Sequence, residues 1–163
     1  MGARWSPSDF IQTVATFDFL PHHQSDNIYS AFAQDEIAIV VEDNQPNREL
    51  LCDWLESEGF EAVSAENLEQ CYAAFQGDAP HAVLLDVQLG REDGLSLARW
   101  IRQRPELRYI PVIAVTAQAM STDHQRVIEA GCDACVFKPV NFKSLGEQLE
   151  RLLNHTARVP PRQ

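Results

Sequence analysis

Five charged or polar side chains stand directly after short apolar runs of this sequence: Glu42, Asp43, Asp86, Thr116 and Lys138. Three carboxylates within hydrogen-bonding reach repel one another unless positive charge lies between them. Lys138 or a divalent cation could supply that charge. Oxygen ligands without histidine or thiolate favour Mg²⁺ over zinc. If the fold brings these residues together, they predict an acidic cation site.

A second candidate site is the stretch GCDACVFKPV, residues 131–140, where Cys132 and Cys135 have Cys-x-x-Cys spacing. Redox activity needs a helix N-terminus or nearby cation, whereas Cys132 follows a predicted helix end, where the dipole opposes a thiolate. Zinc would need two more ligands, and Cys52 and Cys71 lack a matching spacing. We therefore favour Lys138 as the reactive end of this stretch, with redox or zinc chemistry as the minor alternative.

The elements that must position these side chains are apolar runs separated by longer amphipathic stretches. Five strands are predicted, at residues 37–41, 61–65, 81–85, 111–116 and 134–137. Their alternation with helices is typical of a parallel sheet covered on both faces. Such doubly wound sheets place their sites beyond the carboxyl ends of the strands. All five candidate side chains fall at that edge.

The sequence also predicts the helices. The first is predicted to begin near Pro46 and to end before Gly59. Its apolar face consists of Leu50, Leu51, Trp54 and Leu55. The fourth is predicted from about Thr122 to Ala130, and the last carries a stripe of Phe142, Leu145, Leu149 and Leu152.

Taken singly, each candidate residue has an ordinary structural interpretation. An acidic residue after a strand is often a turn former or helix cap, Thr116 could be a cap, and Lys138 could be a solvated charge. Their joint placement at one edge favours a functional site instead.

With these motifs the chain resembles the response regulator receiver domain of two-component signalling, over residues 37 to about 154. The resemblance is carried by VEDNQPNRELL, AVLLDVQLGREDGLSL, PVIAVTAQAM and AGCDACVFKPV, in that order. It is similar to the single-domain receivers of chemotaxis. The resemblance implies a flavodoxin-like, doubly wound five-stranded parallel sheet with strand order 2-1-3-4-5 and helices on both faces.

The resemblance also implies a role for each residue of the site. Asp86 would be the phosphoacceptor, with Mg²⁺ or Mn²⁺ bound directly by Asp43 and through water by Glu42. The backbone carbonyl of Gln88 would be a further ligand. Lys138 would pair with the phosphoryl oxygens, and Thr116 would offer them its hydroxyl.

Four further residues are considered with the same resemblance. The Lys138-Pro139 bond is cis in the family. Gln88 and Gln118, two residues past Asp86 and Thr116, flank the approach of attacking water, and we expect them to tune the phosphoryl lifetime. The family usually holds an aromatic residue three positions before the lysine, which swings inward on activation. Here that position is Cys135, so this chain lacks the usual switch aromatic.

Length and charge limit the remaining function classes. The 163-residue chain has 24 acidic against 13 basic residues and a net charge of −11, which opposes direct nucleic-acid binding. We expect an N-terminal extension at 1–35 with one short amphipathic helix, a receiver domain at 36–156 and a tail at 157–163. No membrane span or secretory signal is recognised, so a cytoplasmic location is expected.

The expected partners are a histidine kinase or phosphotransfer protein, and an output protein reached by contact. The output surface is expected on the fourth helix, fifth strand and fifth helix, including His124, Gln125, Cys135 and Lys143, with Trp100 as a second candidate patch. One alternative is a receiver-like interaction module that is never phosphorylated. The other is a phosphatase or mutase with an aspartyl-phosphate intermediate, disfavoured because Asp86-Val87-Gln88 lacks the Asp-x-Asp pattern. We therefore expect no turnover of an external substrate.

Overall fold

The computed structural model of the chain describes residues 36–117 and 121–158. The predicted N-terminal extension and Gln118 lie outside the described residues. Five strands form the central sheet: β1 (Ile37–Val41), β2 (Glu61–Ala65), β3 (Ala82–Asp86), β4 (Val112–Thr116) and β5 (Ala134–Phe137). The helices are α1 (Gln45–Ser57), α2 (Leu68–Ala74), α3 (Leu95–Arg102), α4 (Ser121–Glu129) and α5 (Phe142–Arg158). The last helix therefore includes the first residues assigned to the tail.

The sheet is parallel throughout and has the order β2-β1-β3-β4-β5. The predicted flavodoxin-like topology is confirmed. The strand order reverses at β1, which has β2 on one side and β3 on the other. The segments that follow β1 and β3 therefore run away from each other. This is the point at which doubly wound folds hold their ligands.

Alternate side chains of the strands enter two separate cores, because neighbouring residues of a strand face opposite sides of the sheet. On β4, Val112 and Ala114 join the core beneath α2, α3 and α4, whereas Ile113 and Val115 join the core beneath α1 and α5. All five β4 residues are buried. The continuous apolar runs of the sequence thus reflect strands covered on both sides.

Helix α1 begins at an Asn44 cap, whose side-chain oxygen accepts the Asn47 N–H at 3.0 Å. Pro46 lies in the first turn, where its missing N–H costs nothing. The predicted apolar face is wrong at one position: Leu51 and Leu55 are buried, but Leu50 is 54% exposed.

A short antiparallel hairpin that the sequence pattern does not predict follows β3. Residues Gln88–Leu89 pair with Glu92–Asp93, and Gly90 turns the chain with a φ of 59°. The hairpin leads directly into α3. No helix among the described residues is long and apolar enough to cross a membrane.

Candidate functional site

The structure brings the five predicted side chains to the carboxyl edge of the sheet. Glu42 follows β1, Asp86 and Thr116 end β3 and β4, and Lys138 follows β5. Their exposure differs sharply. Glu42, Thr116 and Asp86 are only 1%, 2% and 8% exposed, whereas Asp43 is exposed to solvent. Carboxylate oxygens of Glu42, Asp43 and Asp86 lie within 4.8 Å of one another.

Lys138 supplies the positive charge that this crowding requires. Its Nζ donates to Glu42 Oε1 at 2.5 Å and to Asp86 Oδ2 at 3.2 Å. Burial acts to lower the pKa of Lys138, but the bound Glu42 and the charge of Asp86 outweigh it and raise that pKa. Burial raises the pKa of Glu42, and the adjacent Asp86 adds to the rise, while Lys138 opposes it. Glu42 therefore depends on a neighbouring cation to remain ionised.

The other oxygen of Asp86 is fixed by the backbone. Asp86 Oδ1 accepts the Gln88 N–H at 3.0 Å. The segment beyond is held because Gly94 N–H donates to the Val87 carbonyl at 2.8 Å. A Cβ on Gly94 would lie 2.1 Å from the Asp86 carbonyl oxygen, so only glycine fits where α3 begins. Gly94 was not predicted as a residue of the site; the Asp93-Gly94 pair directly before a helix is the one sequence signal that could have marked it.

Arg48 is a second residue that sequence reasoning missed. Its side chain extends from α1 to the acidic pair, and Nη1 donates to the carbonyls of Glu42 at 2.9 Å and Asp43 at 3.3 Å. Nη2 forms an ion pair with Glu66 at 3.3 Å. Arg48 is 9% exposed, so this largely buried charge stabilises the turn that presents Glu42 and Asp43. No local motif marks it, because its partner Glu66 lies after β2.

These side chains surround an open cavity of about 200 Å³. It is lined by Asp43, Asp86, Gln88, Gly90, Thr116, Ala117 and Lys138. Gly90 suits the hairpin because its φ of 59° is strained for other residues; a Cβ there would lie in ordinary contact with Asp43 Oδ2, at 3.8 Å. The cavity is small, and most of its lining side chains are polar or charged. The Lys138-Pro139 peptide bond at its rim is cis.

The cysteines lie away from this chemistry. All four are free thiols, and Cys71 and Cys132 are buried. Burial raises the pKa of each of these two thiols to about 12. Burial also raises the pKa of Cys135, which is half-buried. Such thiols are poor nucleophiles and poor metal ligands at neutral pH, which agrees with treating the Cys-x-x-Cys spacing as structural.

Trp100, the second candidate contact patch, packs into an aromatic cluster between α2 and α3. Its ring centroid lies 4.9 Å from that of Tyr72 and 5.3 Å from that of Phe75. The Arg104 guanidinium covers it at 4.2 Å. Trp100 thus contributes to the contact between two helices.

Comparison with known proteins identifies the family of this domain. The response regulator receiver domain matches residues 38–150 of the chain. The chain belongs to the response regulator receiver family. This receiver is 36% identical over 115 residues to the polar-differentiation response regulator DivK of Brucella anthropi, which covers 71% of the chain and 94% of DivK. It is a phosphorylation-dependent signalling switch, and the predicted family is confirmed.

Solved structures agree with this assignment. The receiver domain of a signal transduction histidine kinase from Syntrophus aciditrophicus is 29% identical, with a TM-score of 0.70 over 78% of this chain and 97% of that one. The receiver domain of sensor histidine kinase PA1611 from Pseudomonas aeruginosa is 28% identical, with a TM-score of 0.67 over 74% and 98%. The latter structure has a magnesium ion coordinated in its active site cleft.

Proposed function

We propose that Asp86 is the phosphoacceptor of this receiver, within a switch unit at residues 36–156. The observation that carries the proposal is the position of its carboxylate. One oxygen faces Lys138, the other is held by the Gln88 N–H, and both lie at the floor of the site cavity. A carboxylate so oriented presents its lone pairs to an incoming phosphorus atom.

The residues fit a hard divalent cation. Three carboxylates within 4.8 Å offer oxygen ligands on one side of the cavity, and Asp43, the exposed member, is open to solvent. Asp43 and Asp86 would hold Mg²⁺ or Mn²⁺ directly, with Glu42 and the Gln88 carbonyl completing the set. When bound, the metal would neutralise charge on the phosphoryl oxygens. The magnesium in the cleft of the Pseudomonas aeruginosa receiver supports this assignment.

The chain's own residues account for the transfer. An Asp86 oxygen forms a bond to phosphorus as the bond from phosphorus to one histidine nitrogen of the donor breaks. The donor ring carries a proton on its other nitrogen, so it keeps the bonding electron pair and leaves as neutral imidazole. Lys138 stabilises the negative charge on the transferred group. Thr116 donates its hydroxyl to a phosphoryl oxygen of the product. Water later hydrolyses the acyl phosphate and restores Asp86, at a rate that Gln88 and Gln118 tune.

The partners follow from this chemistry. The donor is a histidine kinase or a phosphotransfer protein, as the receiver family implies. The output protein binds the face made by α4, β5 and α5. Ile128 on α4 and Phe137 on β5 support this choice, because both are large apolar side chains that remain exposed, at 44% and 39%.

Phosphorylation of the full chain by acetyl phosphate with Mg²⁺ tests the proposal. Intact-mass spectrometry should show one added phosphoryl group on the parent and on Asp78→Asn, an exposed acid outside the site. Asp86→Asn should remain unmodified. Equal modification of Asp86→Asn and the parent would refute the assignment, and no modification of either would favour the unphosphorylated interaction module. Turnover of a small phosphate monoester would instead favour the phosphatase alternative.

A further inference from the structure

Phe137 and Lys138, at the carboxyl end of β5, start from opposite faces of the sheet. Ala134 and Val136 belong to the core beneath α1 and α5, whereas Cys135 packs against the core beneath α2, α3 and α4. Side chains alternate between the two faces of a sheet, so Phe137 lies on the same face as Cys135. The Lys138 side chain starts from the opposite face. Lys138 reaches Asp86, and its neighbour Phe137 is 39% exposed.

Phe137 lies beside Thr116 in the sheet. The two residues are direct partners in the register of β4 and β5, so their side chains lie next to each other on one face. The Lys138 N–H donates to the Thr116 carbonyl at 2.8 Å, which ties the same strand ends together. Thr116 itself is 2% exposed. A displacement of the Thr116 side chain would therefore change the surface next to the Phe137 ring.

Small residues precede Thr116 and Phe137 on the same face of β4 and β5. The preceding register pair on the same face is Ala114 with Cys135. Residues two apart on a strand are roughly 7 Å apart, within reach of a phenyl ring. The ring can thus fold over a methyl group and a thiol, and sulfur contacts with aromatic rings are favourable. An aromatic residue at position 135 would have filled this space.

We propose that Phe137 is the aromatic residue whose packing responds to phosphorylation in this chain, in place of position 135. The inference rests on the proposed function of Asp86. When Thr116 turns its hydroxyl toward the phosphoryl group, the Phe137 ring moves inward over Ala114 and Cys135. Burial of the ring and phosphorylation of Asp86 then favour each other, and the exposed apolar surface at the end of β5 changes with the state of the site.

The test uses the full chain with 4-fluorophenylalanine placed at position 137, and in a matched control at Phe60, which is 4% exposed and precedes β2 at the other edge of the sheet. Fluorine NMR is recorded with a soluble paramagnetic agent, before and after beryllofluoride and Mg²⁺ are added to mimic the phosphoryl group. We expect the signal at 137 to shift and its paramagnetic broadening to fall toward that of Phe60. The Phe60 signal should remain unchanged.

Two variants test whether the response of Phe137 depends on the Thr116 hydroxyl. In Thr116→Val, which keeps the volume and removes the hydroxyl, the response at 137 should be weaker than in the parent when the two are compared at equal beryllofluoride occupancy. In Cys135→Ala the response should persist. An unchanged signal at 137 in protein that beryllofluoride stabilises, or a full response in Thr116→Val, overturns the inference. A parent that beryllofluoride does not stabilise counts against the proposed function itself.

Discussion

At the scale of single residues, Lys138 is the side chain on which the charge balance of the site depends. It contacts Glu42, which is almost completely buried, and Asp86, which is the proposed nucleophile. A lysine in this position has two effects. It opposes the rise in the pKa of Glu42, and it occupies space between groups that a divalent cation would also bind. Lys138 and a bound metal would therefore act on the same carboxylates.

Replacing Lys138 by methionine should show whether Lys138 and Mg²⁺ act on the same carboxylates. Without Mg²⁺, we expect Lys138→Met to lower the free energy of unfolding by about 2 kcal/mol, because Glu42 and Asp86 lose their shared partner. Added Mg²⁺ should then stabilise the variant more than the parent. Urea unfolding in EDTA and in Mg²⁺ measures both effects, with the exposed Lys143→Met as the control. Equal stabilisation of variant and parent by Mg²⁺ would contradict this shared action.

At the scale of secondary-structure elements, the turn from β3 into α3 determines where Asp86 points. Replacing Gly94 by alanine would press its Cβ against backbone atoms, at 2.1 Å from the Asp86 carbonyl oxygen and 3.0 Å from that of Val87. We expect a loss of about 2–4 kcal/mol in the free energy of unfolding and slower phosphorylation by acetyl phosphate, because Asp86 is displaced.

Gly77→Ala is the matched control for this prediction. The nearest atom to a Cβ there is the Ala74 carbonyl oxygen, at 3.7 Å, and Gly77 is not among the glycines with positive φ. Its free energy of unfolding should therefore stay within about 1 kcal/mol of the parent. A Gly94→Ala protein as stable and as readily phosphorylated as Gly77→Ala would show that the turn tolerates a side chain.

The elements also show what sequence reasoning could and could not reach. The five strands were predictable because each is a short apolar run, and Asp86, Thr116 and Lys138 could be placed at one edge because parallel strands all end there. The hairpin after β3 could not be predicted, since strands of two residues have no periodicity. Arg48 and Gly94 were missed because their partners are backbone carbonyls and a distant glutamate, which leave no local pattern.

At the scale of the whole molecule, β5 is an edge strand with one positively charged side chain in contact at each end. Its carboxyl end is followed by Lys138 in the site. Its amino end is fixed by Arg102 at the end of α3, which forms an ion pair with Asp133 at 2.7 Å. Asp133 in turn accepts the Val112 N–H at 2.8 Å. The strand that carries the proposed switch residue Phe137 at one end is thus anchored at the other.

Arg102 should be the main electrostatic contact between α3 and this edge. Besides Asp133, it donates to the carbonyls of Gly131 at 2.7 Å and of Arg108 and Ile110 at 2.8 Å. Its side chain is 23% exposed, so each bond is only partly screened by water. We expect Arg102→Met to lower the free energy of unfolding by about 2–3 kcal/mol and Arg102→Lys by about half as much.

Urea unfolding and amide hydrogen exchange together distinguish this anchoring from a general loss of charge. Arg104→Met removes a neighbouring exposed arginine that stacks on Trp100, and should change the free energy of unfolding by less than about 1 kcal/mol. In Arg102→Met the amides of Val112 and Asp133 should exchange faster relative to those of β1, because both bond at the amino ends of β4 and β5. If exchange accelerated equally in β1 and at these amides, Arg102 would stabilise the domain as a whole. The anchoring of β5 by Arg102 would then be refuted.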